Sequence, residues 1–311
     1  MSAELGELRT LLQDVVAIPV TPFGSNGGIA EATFRSLVER MAHAGISVLT
    51  AGGNTGEYYA LSAAERRRVV ELTVQAAPGA TVVAGVGLDL TTAIAEAQAA
   101  RAAGAHCLMV HQPVHPFRSV QGWVDYHAAI ARSVPGLALI PYVKDDRIDA
   151  AAIHALAAAC PALVAVKYAV PDAVRFAALV EDTASLELVW LCGLAEYWAP
   201  FFAVGGSQGF TSGLTTIDPP RSRGLLAALR SGDHAAAREQ WSQIRRFEEL
   251  RAAQGSQHNV SVVKEALAQL GLCERTVRPP LSEVPASTAD EVAAILHRWG
   301  IPGRAAAGKS A

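Results

Sequence analysis

The stretch Leu163-Val164-Ala165-Val166-Lys167-Tyr168-Ala169-Val170 is an almost unbroken apolar and β-branched run, interrupted by one lysine. A strand with one wet face alternates polar and apolar residues, whereas a parallel strand covered on both faces reads as a continuous apolar run. The same reading recurs at 15–23, 47–53, 81–87, 106–113, 137–143, 186–193 and 207–213. Between these runs lie Ala/Leu-rich segments with helical spacing, among them 31–44, 62–77, 91–103, 120–133 and 149–159. Ser62 followed by Glu65 has the pattern of a capping box at a helix start. Each interval is long enough for a right-handed βα crossover. No Gly-x-Gly-x-x-Gly opens a helix after the first strand, which argues against a doubly wound dinucleotide fold. Eight such units predict an α/β fold, a (β/α)8 TIM barrel over residues 1–220. Residues 221–229, 234–253, 261–270 and 288–299 then read as helices alone. That is more helix than one closing unit needs, so an appended C-terminal helical bundle is expected over 221–300, with a disordered tail at 301–311.

The 311 residues are 51% hydrophobic and 18% charged, which allows a large core and excludes wholesale disorder. A net charge of -3 argues against nucleic acid or an anionic membrane as the main partner. No apolar stretch approaches the roughly 18 residues of a membrane helix. The acidic opening segment lacks the basic-then-apolar order of a secretory signal. Cys107, Cys160, Cys192 and Cys273 form no Cys-x-x-Cys pair, so neither a disulfide framework nor a structural zinc site is expected, and a reduced cytoplasmic setting fits. Gly303, Gly308, Lys309 and Ser310 satisfy a P-loop pattern, yet no strand precedes them and no helix follows, so the match is rejected. His106 and His111 fall on opposite faces of one strand, so with His115 they read as barrel-mouth histidines and no metal is predicted. Tyr197, Trp198, Phe201 and Phe202 read as the core face of a helix.

Lysine occurs only at 144, 167, 264 and 309. Burying an unpaired ammonium is costly, and a lysine in a barrel strand tends to go neutral. A neutral amine is what attacks a carbonyl to form an imine. The alternative is a lysine whose stem packs and whose head reaches the rim or an acid. The second strand runs into Gly53-Asn54-Thr55-Gly56-Glu57, where close backbone approach and polar side chains can grip a carboxylate, although such a turn is often only a turn. Tyr142 ends the fifth strand, placed either to relay protons or to pack at the rim. Arg147 follows on the loop and can hold a second carboxylate, or lie solvated at a helix start.

Together these residues resemble the dihydrodipicolinate synthase / N-acetylneuraminate lyase family of class I aldolases. The resemblance rests on Ala17-Ile18-Pro19-Val20-Thr21-Pro22-Phe23, on Gly53-Asn54-Thr55-Gly56-Glu57 with Leu61-Ser62 and Glu65, and on Val164-Ala165-Val166-Lys167. Gly205-Gly206 and Gly209-Phe210-Thr211-Ser212 extend it towards the end of the barrel. It implies a barrel with extra C-terminal helices, a homo-oligomer (tetramer or dimer), and metal-free, cofactor-free chemistry on pyruvate or another 2-oxo acid. Lys167 matches the imine former and Tyr142 the catalytic tyrosine. The Gly53-Asn54-Thr55 loop matches the carboxylate clamp, and Thr211 lies in the segment lining the site. Asn54 stands where the synthase has a relay threonine, His115 where it has a tyrosine reaching across a subunit interface, and Arg147 where it has a substrate-carboxylate arginine. Residues 52–61 resemble members that dehydrate sugar acids, such as 5-dehydro-4-deoxyglucarate dehydratase, more closely than the synthase. The expectation is a Schiff-base lyase, aldolase or dehydratase, with true dihydrodipicolinate synthase, 5-dehydro-4-deoxyglucarate dehydratase and a non-catalytic 2-oxo-acid-binding barrel as alternatives. Lys167→Ala separates the two classes: a binder keeps most of its ligand affinity, whereas an imine-forming enzyme loses all turnover.

Overall fold

Eight short parallel strands close on themselves, each pairing with its neighbours in chain order. The computed structural model describes residues 2–301. In chain order the elements begin α1 (Ser2–Leu12), β1 (Val15–Ala17), α2 (Glu31–His43), β2 (Val48–Ala51), α3 (Ala63–Ala76), β3 (Thr81–Val86), α4 (Leu90–Ala103) and β4 (Cys107–Val110). They continue α5 (Val120–Ser133), β5 (Ala138–Val143), α6 (Ala150–Ala159), β6 (Ala165–Tyr168), α7 (Ala173–Asp182), β7 (Val189–Cys192), α8 (Ala195–Val204) and β8 (Gly209–Ser212). Four helices follow: α9 (Pro219–Arg230), α10 (His234–Ser256), α11 (Asn259–Gln269) and α12 (Ala286–Arg298). This is the (β/α)8 barrel with appended C-terminal helices. The expected tail and the rejected P-loop fall almost wholly outside the described residues.

The strands are shorter than their apolar runs because only part of each run shares a hydrogen-bonded register with both neighbours. In β1 that part is three residues, after which Pro19 and Pro22 offer no N–H for a ladder. Along β5, Ala138, Ile140 and Tyr142 face the barrel interior while Leu139 and Val143 face the helices. The opening segment, read only for its lack of a signal, forms helix α1. Its Leu5 and Leu12 join the interior cluster with Val16, Val48, Val83 and Ala138. The helix thereby closes the N-terminal end of the barrel, and the C-terminal end is left as the open face.

The capping box is present: Glu65 N–H donates to Ser62 Oγ at 3.3 Å, and Ser62 N–H donates to Glu65 Oε2 at 2.9 Å. The aromatic segment requires a correction. Phe202 is fully buried and Trp198 packs against the core, but Phe201 is 52% exposed, and Tyr197, with the near side of Trp198, lines a cavity. The four span about 140° of the helix, one broad face whose surroundings differ along it: Phe202 meets the core, while Tyr197 and Trp198 reach the cavity.

Candidate active site

A cavity of about 370 Å³ opens at the C-terminal ends of the strands. Lys167 sits at its base. The barrel register pairs Tyr142 on β5 with Lys167 on β6, so both side chains point inward at the same level. The Lys167 ammonium lies 4.0 Å from the Tyr142 ring centroid and 3.7 Å from Met109 Sδ. Lys167 is 2% exposed and has no carboxylate partner among the described residues. Burial, reinforced by the positive charge of Lys144, lowers its pKa to about 7, so much of the amine is neutral at physiological pH.

Asn54, Thr55 and Thr211 also line the cavity. The loop of Asn54 and Thr55 follows β2 through Gly52, whose φ of +69° suits glycine, and Gly53, where a Cβ would stand 2.6 Å from Ile18 Cγ2. Gly53 therefore shapes the loop from behind and does not itself line the cavity. Asn54 Nδ2 donates to Tyr142 Oη at 3.4 Å, and Asn54 Oδ1 is buried with no hydrogen-bond partner among the described residues. Burial raises the Tyr142 phenol well above its ordinary pKa, so the hydroxyl keeps its proton.

The loop is pinned from the far end of the chain. Glu57, in a left-handed conformation at φ 60°, is paired at 2.5 Å with Lys264 of α11 and accepts the Arg278 N–H at 3.1 Å. Both Glu57 and Lys264 are shielded from water. Behind the loop, Tyr58 Oη donates to Glu96 Oε2 at 2.6 Å, Arg66 ion-pairs with Glu96 at 2.5 Å, and the His111 ring stacks on Tyr58. Burial lowers the pKa of His111 to about 3, so it is neutral, and its Nε2 meets the Gly52 carbonyl at 2.9 Å. His106 lies on the other face, exposed, with Nδ1 accepting the Val82 N–H. Among the described residues, no three His, Cys, Asp or Glu side chains are grouped as metal ligands.

Lys167, Tyr142, Asn54, Thr55 and Thr211 thus meet in one cavity, whereas Arg147 and His115 lie outside it. Arg147 is held by its neighbour: Nε and Nη2 donate to the two oxygens of Asp145 at 2.9 and 2.6 Å, and Nη1 donates to the Arg118 carbonyl. Arg147 and Arg118 together hold the Asp145 carboxyl far below its usual range. His115 is on an exposed loop, its Nδ1 accepting the Phe117 N–H at 3.1 Å. The cavity contains groups that the motif reading did not single out as site residues: Lys144 after β5, Tyr197 and Trp198 of α8, and Glu248, Arg251 and Asn259 from the C-terminal helices. Arg251 donates to Glu248 Oε1 at 2.6 Å and to Asn259 Oδ1 at 3.2 Å. The scarcity of lysine was the one sequence signal for Lys144; an arginine and a glutamate on an amphipathic helix carry none.

A buried, half-neutral amine beside a protonated phenol, at the catalytic end of a parallel barrel, defines a class of protein: a barrel equipped for imine chemistry on carbonyl compounds. The comparisons with known proteins give the family. Residues 11–299 match the model of the dihydrodipicolinate synthetase family. A probable 5-dehydro-4-deoxyglucarate dehydratase of Rhizobium rhizogenes is 30% identical over 91% of this chain and 93% of its own. Dihydrodipicolinate synthase from Bacillus clausii superposes with a TM-score of 0.91 at 37% identity, covering 94% of this chain and 99% of that one. The synthase from Acinetobacter baumannii, solved with pyruvate, gives 0.84 at 25% identity, covering 92% and 98%. The chain belongs to the dihydrodipicolinate synthetase family, whose members are lyases and aldolases.

Proposed function

We propose that this protein is a Schiff-base lyase or dehydratase of a 2-oxo acid, with Lys167 as the imine-forming residue. The observation that carries this reading is the Lys167 amine itself: buried, without a carboxylate partner, and half neutral near pH 7. In the proposed cycle the free Lys167 amine adds to C2 of the 2-oxo acid and water leaves, giving a protonated imine. Loss of a C3 proton yields an enamine. In a 2-oxo-3-deoxy sugar acid the enamine then expels the C4 hydroxyl as water; in the aldol direction the enamine instead attacks an aldehyde to form the C3–C4 bond. In cleavage the protonated imine breaks that bond to give the enamine, as the C4 hydroxyl loses its proton and becomes a carbonyl. Tyr142, whose hydroxyl is protonated and held by Asn54, relays the protons. Asn54 and Thr55 receive the C1 carboxylate in the cavity that Thr211 also lines. Asn54 in place of a relay threonine, together with the likeness to a sugar-acid dehydratase, favours dehydration over the synthase reaction.

Among the described residues, no helix is long and apolar enough to cross a membrane. The exposed apolar side chains Val114 and Phe117, beside His115, support a homo-oligomer with that loop at a subunit contact. The test of the function is Lys167→Arg, which keeps the positive charge but cannot form a reducible imine. Consumption of 2-oxo-3-deoxy sugar acids should fall to background in a folded variant. Retained turnover would overturn the assignment.

A further inference from the structure

The alternation that turns Tyr142 into the barrel also turns Lys144, two residues further on, over the same mouth. Lys144 lines the cavity with Lys167 and Tyr142, and its Nζ lies 6.0 Å from the Tyr142 ring centroid. Its backbone N–H donates to Gln112 Oε1 at 3.2 Å, which anchors the residue where β5 ends. The neighbouring cations are occupied. Arg147 and Arg118 are bound to Asp145, while Arg251 is neutralised by Glu248 and also held by Asn259. Among the described residues, the Lys144 ammonium has no acid or hydrogen-bond acceptor, although it faces the cavity. An unpaired cation beside a site proposed to take one carboxylate is a receptor for a second anion.

The distances fit. Both ammonium nitrogens lie close to the Tyr142 ring, at 4.0 and 6.0 Å, so they are at most 10 Å apart. An extended six-carbon acid bonded through C2 to Lys167 carries its far carboxylate oxygen roughly 7 Å from that nitrogen. At most about 3 Å then remains, which one charge-assisted hydrogen bond can span. We propose that Lys144 is the specificity residue of this enzyme, receiving the far carboxylate of a dicarboxylic 2-oxo-3-deoxy sugar acid in the role expected of Arg147. The inference rests on the imine reading of Lys167, because that bond fixes where the far end of the substrate falls.

The test uses the full chain and two six-carbon 2-oxo-3-deoxy acids of matched configuration, one ending in a carboxylate and one in a CH2OH group. The readout is the ratio of their kcat/KM values, in which any common effect of Lys144 on imine formation cancels. The intact protein should favour the diacid. Lys144→Met should lose that preference by about 10- to 100-fold, mainly through KM for the diacid, the range of one lost charge-assisted contact. Lys144→Arg should restore part of it, and Lys144→Glu should invert it. A Lys144→Met ratio within about two-fold of the parent, or a parent that favours the monoacid, would overturn the proposal. Borohydride trapping of pyruvate separates the two levels of failure: trapping without diacid preference removes only the Lys144 role, whereas absence of trapping removes the imine reading and the Lys144 role with it.

Discussion

Replacing Lys167 by methionine should make the protein more stable, and the gain should depend on pH in a defined direction. An amine whose pKa falls from 10.5 in the unfolded chain to about 7 in the fold opposes folding wherever the unfolded chain is protonated. Near pH 7 the shift corresponds to on the order of 4 kcal/mol, since each pKa unit is worth about 1.4 kcal/mol. The sign follows from proton counting. Between the folded and unfolded pKa values the unfolded chain binds more protons, so the parent gains stability as pH rises through that window. Methionine fills nearly the same volume and carries no charge. Its advantage should therefore be fully present at pH 7 and below, shrink steadily above it, and vanish by about pH 10.5. Denaturant unfolding of both proteins from pH 6 to 10 measures this directly. Equal stability at pH 7, or a Lys167→Met variant less stable than the parent, would show that the lysine is solvated or paired and would remove the physical basis of the imine assignment.

Tyr142→Phe keeps the ring over Lys167 and removes only the hydroxyl, so turnover should fall by about 10²- to 10⁴-fold in steady-state assays, with the fold unchanged by circular dichroism. Lys264→Met leaves Glu57 as an unpaired buried charge and should cost about 3–5 kcal/mol in denaturant unfolding. Glu196 accepts from Ser212 and Ser222 and is fully buried, and burial with the nearby Glu248 charge raises its pKa. A raised carboxyl binds its proton more tightly in the folded state, so parent stability falls as pH rises above about 4.5, the unfolded value. Glu196→Gln should therefore match the parent at acid pH and exceed it at pH 8, as thermal unfolding at the two pH values will show.

The barrel was legible because its strands are apolar on both faces, and continuous runs such as 81–87 and 137–143 survive as β3 and β5 almost intact. Lys167 was legible for the opposite reason: one charged residue stood where the pattern forbids it. The arrangement of Tyr142 against Lys167 was not readable, because it depends on the register between two strands joined through a whole helix. Helix α1 escaped notice because its interior face contributes only a few leucines, whose role depends on the barrel end they cover. Glu248, Arg251 and Asn259 reach the cavity only because the C-terminal helices fold back over the mouth, a tertiary fact without a local signature. For Arg147 the family resemblance implied a substrate contact, but Asp145, two residues earlier, competes for the guanidinium and holds it.

Sodium borohydride reduction in the presence of pyruvate, followed by peptide mapping, tests the central claim most directly. The account predicts one stable pyruvyl adduct, carried by the peptide containing Lys167 and absent from Lys167→Arg. An adduct on the Lys144 peptide, or none on a folded protein at pH 7 to 8, would contradict it.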